Sequence, residues 1–109
     1  MSKAGEAFVY KILGESDWAA AEEAGVYAGS ADDARDGFIH FSTAAQVPGT
    51  QQRYFAGRSD LLLLEIEAAA LGNGLVYEPS RGGALFPHLY GSLPLSAVKK
   101  VTVLPVIPA

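Results

Sequence analysis

The most informative segment of the sequence is Asp36-Gly37-Phe38-Ile39-His40-Phe41-Ser42-Thr43-Ala44-Ala45-Gln46. Gly37 permits a backbone angle that other residues avoid, and the alternation after it predicts a strand ending at Ser42. Because successive side chains of a strand point to opposite faces, Ile39 and Phe41 are expected to face a core. The opposite face, which carries polar groups, holds Phe38, His40 and Ser42.

A helix start follows this strand. Thr43 and Gln46 have the spacing of a capping box, in which both side chains satisfy free backbone amides, so a helix is predicted from about Ala44. Pro48 cannot donate a helical hydrogen bond, and we expect a kink or restart there. The helix is expected to end at Gly57.

The residues before this stretch predict a strand and two helical segments. Phe8 to Leu13 is rich in β-branched and aromatic residues and stops at Gly14, as a strand does. A helix is expected next, capped by Ser16, stopped by Gly25, and with Trp18 and Ala21 facing the sheet. A helical turn capped by Ser30 is expected to lead into Gly37.

The C-terminal half predicts three strands and one long connection. Leu61 to Ile66 is expected to form a strand, with Leu75 to Glu78 pairing beside it. Pro79 to Gly91 is predicted to be a long connection, and Val98 to Leu104 a last strand. These elements together predict an α+β fold over residues 1–109, a compact single domain whose small, mostly antiparallel sheets form a cleft with two or three short helices.

Composition narrows the classes of function. With 109 residues, 50% of them apolar, the chain is long enough for a real core without disulfides. The net charge of −4 and the scattered basic residues argue against a duplex nucleic acid partner. Met1 to Ala7 lacks the pattern of a secretory signal and no apolar stretch is long enough to span a membrane, so no membrane partner is expected. The chain has no cysteine, which agrees with a reducing compartment, and a cytoplasmic location is expected. The oligomeric state is not predicted.

Arg81 is the first candidate binding residue. Gly82 and Gly83 follow it and could turn the backbone amides towards an anion, while the guanidinium supplies a forked donor for phosphate or carboxylate. The alternative is a surface turn in which Arg81 pairs with Glu78.

His40 and His88 are the only histidines, and both lie among aromatic residues. A half-buried histidine needs a partner, which could be a structural carbonyl or a ligand whose proton it transfers. A metal site is not predicted, because no close His-x-His or His-x-x-x-His spacing is present.

Other candidates carry less specific signals. Ser42 and Ser80 lack the surroundings of a nucleophile elbow, and Ser42 fits a helix-entry turn equally well. Glu65 and Glu67 could stabilise a sugar cation or simply face solvent. The aromatic residues could stack on a flat ring or pack in the core, namely Tyr10, Phe38, Phe86 and Tyr90.

Two signatures, Asp36 to Gln46 and Glu78 to Gly91, resemble the bacterial Domain of Unknown Function 952 family. The resemblance covers nearly the whole chain, from Val9-Tyr10-Lys11-Ile12 to Val98. The family is in turn similar to the ADP-ribosylation-like fold, which implies a cleft that accommodates NAD in relatives. Ser42-Thr43 and Glu65-Ile66-Glu67 are similar to segments of ADP-ribosyltransferases, although Tyr10-Lys11 stands where those enzymes have a first-strand arginine.

The leading hypothesis is an enzyme, or a protein derived from one, that binds NAD or another phosphorylated nucleotide between the two signatures, with ADP-ribosyl or phosphoryl transfer as the implied chemistry. The alternative is a non-catalytic module that binds a small molecule or partner in the same pocket. A third hypothesis makes the signatures purely architectural. The predicted catalytic residues are His40, Glu78 and His88, and the predicted ligand-binding residues are Tyr10, Lys11, Ser42, Thr43, Ser80, Arg81, Gly82, Phe86 and Tyr90.

Overall fold

The computed structural model describes residues 7–109. The prediction that Met1 to Ala7 lacks a secretory signal concerns residues that, apart from Ala7, lie outside this described range. Short 3-10 turns precede or connect several of the elements. In chain order, the strands and helices are β1 (Phe8–Gly14), α1 (Glu15–Ala24), β2 (Val26–Tyr27), α2 (Ala31–Asp36), β3 (Ile39–His40), α3 (Val47–Tyr54), β4 (Leu61–Glu67), β5 (Leu75–Pro79), β6 (Leu85–Leu89), β7 (Leu93–Pro94) and β8 (Val98–Val103).

Residues 7–109 form three small antiparallel sheets, and the α+β prediction is confirmed. Sheet A has the strand order β1-β4-β8, sheet B pairs β2 with β7, and sheet C has the order β3-β6-β5. Reciprocal backbone hydrogen bonds of 2.8 Å between Tyr10 and Ser42 join sheet A to the end of the β3 segment. None of the described helices is long and apolar enough to cross a membrane.

The central strand of sheet A, β4, contributes to two cores. Leu62, Leu64 and Ile66 belong to the main core, which also contains Ile39 and Phe41 from the segment Asp36 to Gln46. The other face of β4 presents Leu61 to a smaller core with Ile12 and Val47. Strands that are buried on both faces read as continuous apolar runs, which explains the sequence of β4.

The helix signals are largely confirmed. Ser30 caps α2 with a reciprocal capping box, and Gly37 follows at a φ of 87°. Thr43 and Gln46 form the predicted capping box around a 3-10 turn, Ala44–Gln46, and α3 restarts at Val47 with Pro48 in its first turn. However, α3 ends at Tyr54, before Gly57.

Ser16 is not the cap of α1. The helix begins at Glu15, with Gly14 in the capping position, because the amide of Glu15 donates to the carbonyl of Asp60 at 2.8 Å. The strand therefore turns directly into the helix. A Cβ atom on Gly14 would lie 2.9 Å from the guanidinium of Arg58, so only glycine fits this turn without displacing that side chain.

Two predictions about the second signature are wrong. The strand β5 does not pair with β4, because β1 and β8 occupy both edges of β4. It pairs instead with β6, which lies inside the stretch predicted to be a long connection. Pro87 concealed this strand, since proline is rare in central strands. Its carbonyl accepts a hydrogen bond from the amide of Phe41 at 2.9 Å.

Candidate functional site

Both signatures contribute to one cavity of about 270 Å³. The side chain of Gln46 also connects them, since its Nε2 donates to the carbonyl of Leu85 at 2.8 Å. Of the predicted site residues, those that line the cavity are Tyr10, Lys11, His40, Ser42, Ser80, Arg81, Phe86 and His88. The predicted residues that do not line it are Thr43, Glu78, Gly82 and Tyr90.

A buried ion pair lies on the inner wall. Lys11 of β1 and Asp33 of α2 are 3.0 Å apart, with 8% and 2% of their side chains exposed. The lysine also donates to the carbonyl of His40 at 3.0 Å. Because all of these partners are in place, the pair ties α2 and the β3 segment to sheet A.

The environment favours the ionised form of Asp33. Burial acts to raise the pKa of its carboxyl, but the charge of Lys11 and the hydrogen bonds from His40 and the amide of Ser30 hold the pKa below its ordinary value. Burial lowers the pKa of Lys11, and Asp33 opposes that change.

This direction predicts how the contribution of Asp33 depends on pH. A folded pKa below the unfolded value of about 3.9 gives stability that is present above that value and is lost as pH falls through the folded one. We expect the difference in unfolding free energy between wild type and Asp33→Asn to shrink progressively as the pH falls below about 5. Urea unfolding at a series of pH values measures it, and a constant difference would contradict the prediction.

His40 lies between two carboxylates. Its Nδ1 is 2.5 Å from Asp33 Oδ1, and its Nε2 is 2.9 Å from Asp36 Oδ2. The hydrogen bond to Arg35, opposed by partial desolvation, holds the pKa of Asp36 below its usual range. Since ionised carboxylates only accept, both contacts are hydrogen bonds together only when the ring carries two protons.

Glu78, His88 and Tyr90 form a second polar cluster. His88 is 3% exposed, and its Nδ1 is 2.6 Å from Glu78 Oε1, which also accepts from the Tyr90 hydroxyl at 2.8 Å. The hydrogen bonds from His88 and then Tyr90 hold the pKa of Glu78 below its usual value, and the bond to Glu78 raises the pKa of Tyr90. Glu78 therefore acts on the cavity through His88.

Arg81 does not pair with Glu78. Its guanidinium carbon lies 4.8 Å from the ring centre of Phe86 and 5.6 Å from that of Tyr54, and both rings line the cavity. Gly82 adopts a φ of 69°, and the amide of Gly83 donates to the carbonyl of Ser80 at 2.8 Å. The glycines thus form a turn that places Arg81 at the cavity.

The remaining predicted residues have local roles. Ser42 Oγ and Thr50 Oγ1 are 2.9 Å apart, and both residues line the cavity. The hydroxyl of Tyr10 donates to Glu65 at 3.2 Å, so this glutamate contacts a cavity residue without lining the cavity itself. Among residues 7–109, no group of three or more His, Cys, Asp or Glu side chains is arranged to hold a metal ion.

Sequence reasoning missed the acidic wall of the cavity, above all Asp33. One signal was available: Lys11 lies in an apolar strand, and a lysine that is buried there requires a carboxylate. Tyr54 and Thr50 were missed because their helix offers no pattern that distinguishes a cavity-facing residue from a solvent-facing one.

The fold and the cavity define a small α+β protein with two histidine–carboxylate clusters around one polar pocket. A family model described as "Protein of unknown function (DUF952)" matches residues 12–101, and the chain belongs to this family. The predicted resemblance to that family is confirmed, whereas the ADP-ribosylation-like fold stays a prediction.

Solved structures of a relative share the fold. The X-ray structure of protein CC0527 from Caulobacter crescentus has a TM-score of 0.86 and 46% sequence identity, covering 89% of this chain and 85% of that chain. The solution NMR structure of CC0527 has a TM-score of 0.82 and 45% identity, covering 92% and 86%. A comparison with curated proteins finds no significant match.

Proposed function

We propose that this chain binds a phosphorylated nucleotide, such as NAD, ADP-ribose or a fragment of either, in the cavity between Asp36–Gln46 and Glu78–Gly91. The observation that carries the proposal is Arg81, whose guanidinium is held beside the rings of Phe86 and Tyr54. Within residues 7–109, no carboxylate lies within ion-pair distance of it. A guanidinium whose charge is not paired with a carboxylate suits the planar, bidentate recognition of phosphate.

The other cations of the cavity differ from Arg81 in this respect. Lys11 is paired with Asp33 at 3.0 Å, and Arg35 is paired with Asp32 and Asp36 at 3.0 and 3.1 Å. Their charges are compensated by the protein. At one end of the cavity, the charges of Lys11 and Arg35 are therefore neutralised by carboxylates, whereas Arg81 makes the other end cationic. This arrangement favours a ligand with a phosphate at one end and hydroxyl groups at the other.

The volume of the cavity limits the part of the ligand that it encloses. About 270 Å³ lies just below the range of roughly 300–1,000 Å³ that is typical of pockets for drug-sized ligands. This volume suits a ribose phosphate unit, with the rest of a dinucleotide extending into solvent. The ADP-ribosylation-like fold is part of the proposal, and the antiparallel sheets that face the cavity are consistent with it.

Arg81→Ala is expected to weaken the binding of ADP-ribose or AMP by about 10- to 100-fold. A hydrogen bond to a charged group is worth roughly 1.5–3 kcal/mol, and each 1.4 kcal/mol is a factor of ten in affinity. Isothermal titration calorimetry measures the change, and urea unfolding confirms that the variant is folded.

Arg53→Ala is the matched control for this substitution. Arg53 has the same charge and also lies over Tyr54, at 5.8 Å, but it does not line the cavity. We expect this variant to bind like wild type. Equal losses in both variants would indicate a general effect of charge, and no saturable binding by wild type across NAD, ADP-ribose, AMP, ribose 5-phosphate and phosphate would refute the proposal.

A binding module without turnover is the second candidate. Both ring nitrogens of His40 lie within 3 Å of carboxylates, at 2.5 Å from Asp33 and 2.9 Å from Asp36, so a ligand would compete with these carboxylates for the ring. Glu65 and Glu67, which resemble the Glu-x-Glu of ADP-ribosyltransferases, do not line the cavity. Incubation with NAD shows whether nucleotide binding is accompanied by turnover: release of nicotinamide supports a transferase-like enzyme, and saturable binding without release supports the module.

A further inference from the structure

One buried hydrogen-bonding atom of His88 has no partner among residues 7–109. The side chain is almost completely buried and lines the cavity, yet its Nε2 has no hydrogen-bond partner within the described part of the chain. Most buried polar side-chain atoms in proteins are paired, and an unpaired one is costly. Nε2 is itself buried, so a ligand in the cavity would supply the missing partner once the atoms that cover Nε2 make room for it.

The cluster behind His88 decides whether this partner must be a donor or an acceptor. Glu78 is ionised and can only accept, so Nδ1 of His88 carries the proton in their 2.6 Å contact. The Tyr90 hydroxyl donates to the same carboxylate oxygen and keeps it in place. In the neutral ring this arrangement leaves a lone pair on Nε2.

The orientation of the imidazole is also restrained. Phe38 stacks on the ring of His88 with 4.0 Å between the ring centres and 21° between the planes. The Glu78 contact restrains rotation within that plane. The lone pair of Nε2 is therefore held in one direction, as in a preorganised binding site.

We propose that Nε2 of His88 accepts a hydrogen bond from a sugar hydroxyl of the ligand, so that the site selects phosphorylated ribosides over their deoxy analogues. This inference rests on the proposed function. A phosphate or carbonyl oxygen could not form this hydrogen bond, because both it and the lone pair of Nε2 are acceptors. In a cavity large enough for one ribose phosphate, the ribose hydroxyls are the donors closest to the phosphate.

The first test compares ligands on the wild-type protein. Calorimetric titration with AMP, 2′-deoxy-AMP and 3′-deoxy-AMP is expected to show that one deoxy compound binds about ten times more weakly, or worse, because a site built around a hydroxyl rejects an analogue that lacks it. The identity of that compound identifies the hydroxyl.

Two substitutions of His88 test the roles of its two ring nitrogens separately. Asn in place of His88 keeps a donor near the position of Nδ1, which can still reach Glu78, and removes Nε2. Gln places an amide group near Nε2 instead. We expect His88→Asn to bind AMP and the deoxy compound equally well, and His88→Gln to retain part of the preference.

Glu78 is a positioning residue in this proposal, and its role has a spectroscopic signature. Long-range nitrogen–proton NMR spectra distinguish the two neutral tautomers of histidine. We expect His88 of the wild type to carry its proton on Nδ1, and Glu78→Ala to shift the population towards the Nε2 proton together with a smaller preference for the riboside.

The outcomes distinguish this inference from the proposed function. If AMP and both deoxy compounds bind equally to wild type, or if His88→Asn keeps the preference, the inference is overturned and the nucleotide site stands. A wild-type His88 protonated on Nε2 also overturns it. If no phosphorylated compound binds, the proposed function and the inference fall together.

Discussion

Asp33→Ala is expected to lower the free energy of unfolding by about 3–5 kcal/mol, because it leaves Lys11 buried without its counter-charge. The substitution also removes the acceptor for the amide of Ser30 at 2.8 Å and the contact with Nδ1 of His40. The imidazole ring of His40 and the first turn of α2 therefore both lose the Asp33 carboxylate as a partner. Urea unfolding, followed by circular dichroism, measures the change.

Asp32→Ala is the matched control in the same helix. The Asp32 side chain is 69% exposed, and its ion pair with Arg35 lies at the surface. Surface pairs of this kind contribute little, so we expect a change within about 0.5 kcal/mol. If both variants lose the same amount, the large effect does not come from the buried pair.

The double variant Lys11→Met, Asp33→Ala tests the cause directly. With both charges absent, no uncompensated ion is left in the core, and apolar replacements of buried pairs are often tolerated. We expect the double variant to lose clearly less stability than the sum of the two single variants. Strict additivity would contradict the interpretation that Lys11 is the source of the penalty.

Leu64→Ala is the second substitution with a large expected effect, about 2–5 kcal/mol of unfolding free energy. Leu64 has no exposed surface and belongs to the main core between the sheets. Truncation removes buried methyl groups and leaves a cavity that the two neighbouring strands prevent from closing. The same urea experiment measures the loss.

Val101→Ala is the control for this substitution, because Val101 of β8 lies directly opposite Leu64 in the antiparallel register. The two residues share a strand pair and differ in burial, since Val101 is 42% exposed. We expect the valine variant to lose less than about 1 kcal/mol. A loss as large as that of Leu64→Ala would mean that strand propensity, and not burial, dominates in sheet A.

Local signals in the sequence predicted local structure well. The alternation around His40 correctly placed Ile39 and Phe41 in the core and His40 and Ser42 at the cavity. The separation is incomplete, because Phe41 also lines the cavity and Phe38 does not. The Thr43–Gln46 capping box and the restart at Pro48 also depend only on neighbouring residues. The predicted cap at Ser16 is wrong because the helix start depends on the distant carbonyl of Asp60.

The pairing of strands could not be predicted in the same way. The hairpin of β5 and β6 contains Pro87 in a central strand, against the usual preference, and the Pro87 carbonyl still joins β6 to the β3 segment by accepting from the amide of Phe41. The partner of β4 is decided by β8, which lies far along the chain. The β-propensity of a segment does not indicate which strand, distant in sequence, has a free edge for pairing with it.

The sequence by itself determined the fold class, most of the elements, the family and the two segments that contribute to the cavity, because these depend on short-range spacing and residue type. Only the tertiary structure decided which side chains meet. Asp33 reaches Lys11 across 22 residues, and Glu78 turns to His88 and leaves Arg81 without it. Such pairings follow from burial, because a charged group that is removed from water needs a hydrogen-bonding or ionic partner. The packing of the sheets determines which partner is close enough.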